Sequence, residues 1–214
     1  MSARERIAAM HLYLVCDRRP RAFLDAALRG GADMIQLRDK SLDDDALIAV
    51  AREFRAAADG AGALFILNDR PDLVAACAAD GVHIGQEDGS AADARAAVGP
   101  DRIVGRSTHS PEQGAAADAD PDVDYLAVGP VHMTPTKPGR PAAGLAYVEW
   151  AAANVTKPWF AIGGLDAANV GAASARGATR IVVVRAITDA ADPAAAARAL
   201  RERLAEGRVG AAQS

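Results

Sequence analysis

Two hydroxyls and an ammonium, Thr134, Thr136 and Lys137, fall within four residues of one another in the stretch Gly129 to Gly144, GPVHMTPTKPGRPAAG. Pro135 and Pro138 fix φ around Thr136 and Lys137 and lower the entropy of ordering them. A stiffened, chemically loaded loop suits a lid or a ligand clamp, and the plain alternative is a surface connection. A second cluster is Gln36-Leu37-Arg38-Asp39-Lys40. If it lies on a strand, alternation puts Gln36, Arg38 and Lys40 on one side, where guanidinium and ammonium need an anion between them. That anion is either a ligand or one of Asp17, Asp39 and Asp69 in a structural ion network. Asn68-Asp69 and Gln86-Glu87-Asp88 add amides and carboxylates, and Ser107-Thr108-His109 adds hydroxyls and an imidazole. Gly163-Gly164 and Val184-Arg185 offer backbone that a phosphate can approach closely, or else a turn before Asp166.

These groups sit at the ends of short apolar runs. The strands predicted are Leu12–Asp17, Met34–Asp39, Leu64–Asp69, Gly81–Gly85, Ile103–Thr108, Tyr125–Gly129, Trp159–Gly163 and Arg180–Ala186. Their near-continuous apolar character fits parallel strands covered by helices. Helical patterns lie between them: Arg21–Arg29 stopping at Gly30-Gly31, Asp43–Ala58, a stretch from an Asp166 cap to Arg176, and a last helix opened by Asp192-Pro193. Eight strands each followed by a helix, without hairpin signals, predict an α/β fold of the (β/α)8 TIM barrel type rather than an open sheet. No GxGxxG or GxxxxGK[ST] follows any strand. The expected single domain covers residues 1–206, with 207–214 as a frayed tail.

In such a barrel the chemistry gathers where the strands end. Asp69 and Asp88 then come from adjacent strands, and two carboxylates plus ligand oxygens are what Mg²⁺ accepts. The alternative gives Asp69 a capping role before Pro71 and Asp88 a turn before Gly89. Taken with Arg38, Lys40 and Lys137, the carboxylates suggest a diphosphate–metal site, and the glycines suggest a second phosphate. Two phosphorylated substrates joined with loss of diphosphate follow from that pair. His109 is the best-placed histidine, His83 reads as a packed barrel residue, and no role is assigned to His132 or Arg106.

Composition narrows the classes. Net charge is −4, which gives no general attraction to nucleic acid or an anionic membrane, and no apolar run is long enough to span a bilayer. The N-terminal stretch lacks signal-peptide features, and Cys16 and Cys77 stand alone, so a reducing cytoplasmic setting is expected. Aromatics make up only 4%, which predicts a core of small aliphatic side chains. Only three lysines occur, and two of them, Lys40 and Lys137, lie in the polar stretches above. Small-molecule substrates are the expected partners, and self-association into a homo-oligomer is compatible with the sequence.

The motifs QLRDK (Gln36–Lys40), ND (Asn68-Asp69), GVHIGQED (Gly81–Asp88), STHS (Ser107–Ser110), GPV…TPTKPG (Gly129–Gly139) and IGG (Ile162–Gly164) together resemble the thiamine-phosphate synthase family. The resemblance spans nearly the whole chain and implies a transferase on a (β/α)8 barrel. The implied reaction couples 4-amino-2-methyl-5-(diphosphooxymethyl)pyrimidine to a thiazole phosphate, with Mg²⁺ as cofactor and a dissociative mechanism. It implies that Gln36, Leu37, Arg38, Asp39, Lys40, Asn68, Ser107 and Lys137 hold the pyrimidine diphosphate, with Arg38, Lys40, Ser107 and Lys137 taking part in catalysis. Asp69 and Asp88 would ligate the metal. Thr134, Pro135, Thr136, Gly164, Val184 and Arg185 would hold the thiazole phosphate. Arg185 departs from the small hydroxyl residue common there in the family. The rival readings are a thiazole tautomerase on a related barrel, with His109 carrying the proton, and a non-catalytic phosphate-sensing barrel.

Overall fold

The structure, a computed structural model, describes residues 2–133 and 142–211, with side chains as far as Gly207. The apolar runs form β1 (Leu12–Cys16), β2 (Met34–Leu37), β3 (Leu64–Asn68), β4 (Gly81–Ile84), β5 (Ile103–Thr108), β6 (Tyr125–Val128), β7 (Trp159–Ile162) and β8 (Ile181–Val183). All pair in parallel in chain order, and β8 returns to β1, so the sheet closes into a barrel without edges. This is the (β/α)8 fold expected. Most strands end one or two residues before the sequence suggests. Asp69 shows how: at φ 57° its backbone turns away directly after β3.

Outside the barrel run α2 (Arg21–Arg29), α3 (Asp44–Ala61), α4 (Ala91–Val98), α5 (Pro111–Ala119), α6 (Gly144–Asn154), α7 (Val170–Ala175), α8 (Arg185–Thr188) and α9 (Pro193–Ala211), while α1 (Ala3–Arg6) precedes β1. Two departures from one helix per strand matter. Between β3 and β4 the chain forms a 3-10 turn at Pro71–Leu73, since about a dozen residues leave little room for a helix, and β8 is followed by two helices. α9 continues through Gly207, where a frayed tail is expected. A Cβ on Gly207 would lie 2.6 Å from that of Ser174, and the Ser174 hydroxyl donates to Leu204 O at 3.0 Å. Gly207 is thus a contact residue that lets α9 lie close to α7.

The core has two compartments set by strand alternation. Outward residues such as Leu14, Leu37, Phe65, Val104 and Val128 pack with the helices. Inward residues, among them Tyr13, Met34, Ile66, Tyr125, Phe160 and Val182, fill the barrel, with Ile7 joining them from the segment after α1. The small-aliphatic expectation therefore describes the outer compartment better than the inner, where Tyr13, Tyr125 and Phe160 meet edge to face. Gly105 makes room for this packing: a Cβ there would meet the Tyr125 ring at 2.1 Å. Both cysteines are buried, and burial pushes the Cys16 thiol up to about 12, so it is a packing group. No helix among the described residues is long and apolar enough to cross a membrane.

At the N-terminal end of the barrel, three strands are preceded by an aspartate with a fixed task. Asp33 accepts from the Leu12 amide at 2.9 Å and pairs with Arg201 at 2.6 Å. Asp80 accepts from the Phe65 amide and pairs with Arg55. Asp124 accepts from the Val104 amide and pairs with Arg95 and Arg4. Each carboxylate ties the start of one strand to its neighbour and to an arginine outside the barrel.

Candidate active site

The C-terminal mouth holds two adjoining cavities of about 330 Å³ each, which share Ser107, His109, Ile162, Val182 and Val184. The first lies over β2 to β5 and is built from side chains. Alternation brings Gln36, Arg38 and Lys40 to it, joined by Asn68, Asp69, Asp88 and Ser107. Leu37 is directed instead into the outer core, and the Asp39 carboxylate is turned aside. Asp39 accepts from the Ser41 hydroxyl at 2.6 Å and the Ser41 amide at 3.1 Å, with Arg18 nearby, and the Ser41 hydroxyl chiefly holds it below the usual carboxylate range. Both side chains thus lie away from the cavity, for the period-2 reason that places their neighbours inside.

Charge at this lobe is only partly satisfied. Lys40 Nζ lies 3.0 Å from Asp69 Oδ2, which is one of the structural pairings the sequence left open. Asp17 pairs with Arg19, and no partner among the described residues engages the Arg38 guanidinium. Asp88 Oδ2 accepts from the Gly85 amide at 2.8 Å. One oxygen of each carboxylate, Asp69 and Asp88, is therefore committed, and the other has no partner among the described residues. Asp69 holds its place in left-handed backbone, which costs a non-glycine residue about 1 kcal/mol and marks a position worth a functional explanation. It caps no helix; Arg70 is the residue flanking the 3-10 turn.

Among the described residues no group of three or more His, Cys, Asp or Glu forms a cage for a metal. The donor set fits Mg²⁺ in another way, since that ion retains waters and binds through one or two carboxylates plus phosphate oxygens. Asp69 and Asp88 supply two such carboxylates beside cations suited to a polyanion.

The second lobe is lined by aliphatic residues, by Gly163 and Gly164 and by the start of α8. Gly163 (φ 109°) and Gly164 (φ 65°) follow β7, and Arg185 and Ala186 begin α8, where amides have no intrahelical acceptor. The glycines answer a demand from their own chain as well. A Cβ on Gly163 would meet Pro130 at 2.5 Å, and one on Gly164 would meet His132 at 2.9 Å. Val131 and His132 donate to Ile162 O and Gly163 O at 2.8 and 3.0 Å, seating the start of the long loop on the end of β7. The exposed Arg185 side chain has no partner among the described residues. Thr134, Pro135, Thr136 and Lys137 lie outside the described residues.

Between the lobes stand Ser107 and His109. His109 Nδ1 is 2.7 Å from Gly129 O, an acceptor, so Nδ1 carries a proton. Arg106, of opposite parity to Ser107, reaches Gly89 O and steadies the loop after β4. His83 is the packed barrel residue that the sequence suggests, and Tyr13 and Tyr125, which the sequence did not single out, lie beside it. His83 is buried, with Nε2 2.9 Å from Ser107 Oγ and Nδ1 2.9 Å from Tyr125 OH. The alternation that placed Gln36 inside also places these three, so the signal was present in the strand parity.

Residues 12–187 match the thiamine monophosphate synthase family. The chain is 54% identical over 201 residues to thiamine-phosphate synthase of Thermus thermophilus, covering 90% of this chain and 96% of that one. It is 50% identical over 207 residues to the Thermobifida fusca thiamine-phosphate synthase, covering 94% and 95%. Among solved structures, thiamine phosphate pyrophosphorylase from Pyrococcus furiosus superposes with a TM-score of 0.85 at 29% identity, covering 94% of this chain and 98% of that one. A match of this extent, over a barrel whose strand ends carry these groups, decides the assignment: the chain belongs to the thiamine monophosphate synthase family and is an enzyme of the transferase class.

Proposed function

We propose that this enzyme condenses 4-amino-2-methyl-5-(diphosphooxymethyl)pyrimidine with a thiazole phosphate, releasing diphosphate and forming thiamine phosphate. The observation that carries this reading is the two-lobed mouth, with cations and two carboxylates on one side of Ser107 and a cleft at Gly163, Gly164 and the start of α8 on the other. The methylene–oxygen bond of the pyrimidine substrate breaks with its electron pair leaving on diphosphate. The thiazole nitrogen then gives its lone pair to the methylene carbon. Because the aminopyrimidine ring stabilises the positive methylene, the protein must chiefly stabilise the leaving group rather than supply a strong base.

Gln36, Arg38, Lys40, Asn68 and Ser107 hold the pyrimidine diphosphate in this reading, with Lys137 of the long loop. Arg38, Lys40 and Lys137 stabilise charge on the departing oxygens. Lys40, whose side chain is 64% exposed, can turn from Asp69 to a bound anion. Asp69 and Asp88 would hold Mg²⁺, which when bound neutralises developing diphosphate charge as a Lewis acid. Gly164, Val184 and Arg185 hold the thiazole phosphate, mainly through backbone amides, with Thr134, Pro135 and Thr136 from the loop. The reaction also requires that water be kept from the cation.

A second reading has one observation in its favour. His109 lines both lobes and its ring is oriented by the Nδ1 bond to Gly129 O, as a proton carrier in a thiazole tautomerase would need. Incubation with both substrates, with and without Mg²⁺, separates the two. Mg²⁺-dependent appearance of diphosphate and thiamine phosphate together is the expected result. Isomerisation of a thiazole carboxylate without condensation would favour the tautomerase, and no turnover of either substrate would favour a sensing barrel.

A further inference from the structure

A buried file of hydrogen bonds crosses the barrel beneath the mouth. Gln36 Nε2 donates to Tyr13 OH, Tyr13 OH lies 3.1 Å from Tyr125 OH, Tyr125 OH lies 2.9 Å from His83 Nδ1, and His83 Nε2 lies 2.9 Å from Ser107 Oγ. Its members come from β2, β1, β6, β4 and β5, and all five are buried. Groups of this kind are costly inside an apolar barrel unless each is satisfied, so the file is either a structural filler or a device with an output.

Its chemistry has a direction. An amide nitrogen only donates, so Tyr13 oxygen accepts from Gln36 and its own proton goes to Tyr125. Tyr125 in turn gives its proton to His83 Nδ1. Both phenols stay protonated, because burial pushes each well above its ordinary value. With Nδ1 an acceptor, the neutral imidazole carries its proton on Nε2 and donates it to Ser107 Oγ. The Ser107 proton is then left to point at the cavity that Ser107 lines.

We propose that His83 is a positioning residue, whose Nε2–H tautomer, set by Gln36 through Tyr13 and Tyr125, makes Ser107 a hydrogen-bond donor to an acceptor atom of the substrate in the first lobe. The inference rests on the reading that Ser107 touches that substrate. It gives Gln36 a second role: its carboxamide lines the mouth and also fixes the polarity of Ser107, three strands away.

The direct test is nitrogen NMR of the full chain labelled with ¹⁵N-histidine. The four histidines are assigned by loss of one resonance pair in His83→Gln. The expected spectrum shows His83 with Nε2 protonated and Nδ1 bearing the lone pair between about pH 6 and 8, and a mixed-tautomer signal in Tyr125→Phe. A wild-type His83 protonated at Nδ1, or already mixed, overturns the proposal whatever reaction the enzyme performs. The kinetic arm uses amide replacements. Glutamine can place its amide nitrogen near the Nε2 position and asparagine near Nδ1, so His83→Gln preserves the donor to Ser107 and His83→Asn does not. His83→Gln is expected to stay within about threefold of wild-type kcat/KM for the pyrimidine substrate, and His83→Asn to fall by about tenfold or more, with KM for the thiazole phosphate unchanged. Equal loss in both variants, with the expected NMR tautomer present, overturns the link to Ser107. Absence of condensation in wild type instead counts against the proposed function and leaves the tautomer result standing on its own.

Discussion

At the N-terminal end of the barrel, Asp33, Asp80 and Asp124 each bind a strand amide and an arginine, and Lys157 Nζ is held by the carbonyls of Ala117 and Asp120. At the C-terminal end, among the described residues, Arg38 and Arg185 have no partner and Asp69 and Asp88 each leave one oxygen uncommitted. The same residue types serve both ends. At one end charge is neutralised inside the fold, and at the other it is held ready for something from outside. Charged groups left incompletely paired in a concave site cost stability, and that cost is tolerable where a ligand completes them.

The contrast breaks most visibly if carboxylates at the two ends are exchanged for uncharged residues. Asp69→Asn or Asp88→Asn is expected to lower Mg²⁺-dependent turnover by about a hundredfold or more while the melting temperature holds, since neither carboxylate supports a strand. Full activity of either variant in the presence of chelator would remove both residues from the metal site. Asp69→Gly sharpens the point: it should lose turnover yet match or exceed wild-type stability by up to about 1 kcal/mol, because left-handed backbone suits glycine. At the opposite end, Asp124→Ala should cost about 2–3 kcal/mol by urea denaturation, leaving the Val104 amide without its side-chain acceptor and Arg95 without its carboxylate, with kcat of the folded fraction unchanged. A stable Asp124→Ala protein with impaired turnover would reverse the assignment of the two ends.

Smaller effects test finer features. Arg185→Ala should raise KM for thiazole phosphate by about threefold to tenfold at constant kcat, as expected of an exposed cation if backbone amides are the main phosphate contact. A collapse of kcat would mean that the guanidinium, not the backbone, is the main phosphate contact. The smallest effect concerns pH. Burial raises the pKa of Asp118, but hydrogen bonds from the Lys157 and Thr156 amides and the Thr156 hydroxyl outweigh it, and the carboxyl lies below its ordinary 3.8. A folded value below the unfolded one means that Asp118 adds stability above the unfolded value and loses that contribution as pH falls through the folded one. Asp118→Asn should therefore be less stable than wild type at neutral pH, with the gap closing in acid. A gap that stays constant would show that Asp118 acts through shape rather than charge.

Much of this was legible in the sequence for simple reasons. Continuous apolar runs identified the eight strands, because a parallel strand buried on both sides tolerates little else. Alternation located Gln36, Arg38 and Lys40 on the mouth side, and turn and cap residues marked α2 and α3. The same alternation, applied strand by strand, would have turned Leu37 and Asp39 outward and brought Tyr13 and Tyr125 inward beside the packed His83. The capping box of Ser2 and Glu5 was an available sign of α1.

The sequence by itself determined which side chains could reach the mouth, since side-chain parity is a property of a single strand. It also determined where the chain must turn, since glycine, proline and capping residues act locally. Only the tertiary structure decided which groups meet. The pairing of Lys40 with Asp69, the seating of Val131 and His132 on β7, and the file from Gln36 to Ser107 each join different strands or loops. Those contacts depend on the stagger with which the barrel closes, and stagger is set jointly by all eight strands rather than written in any one of them.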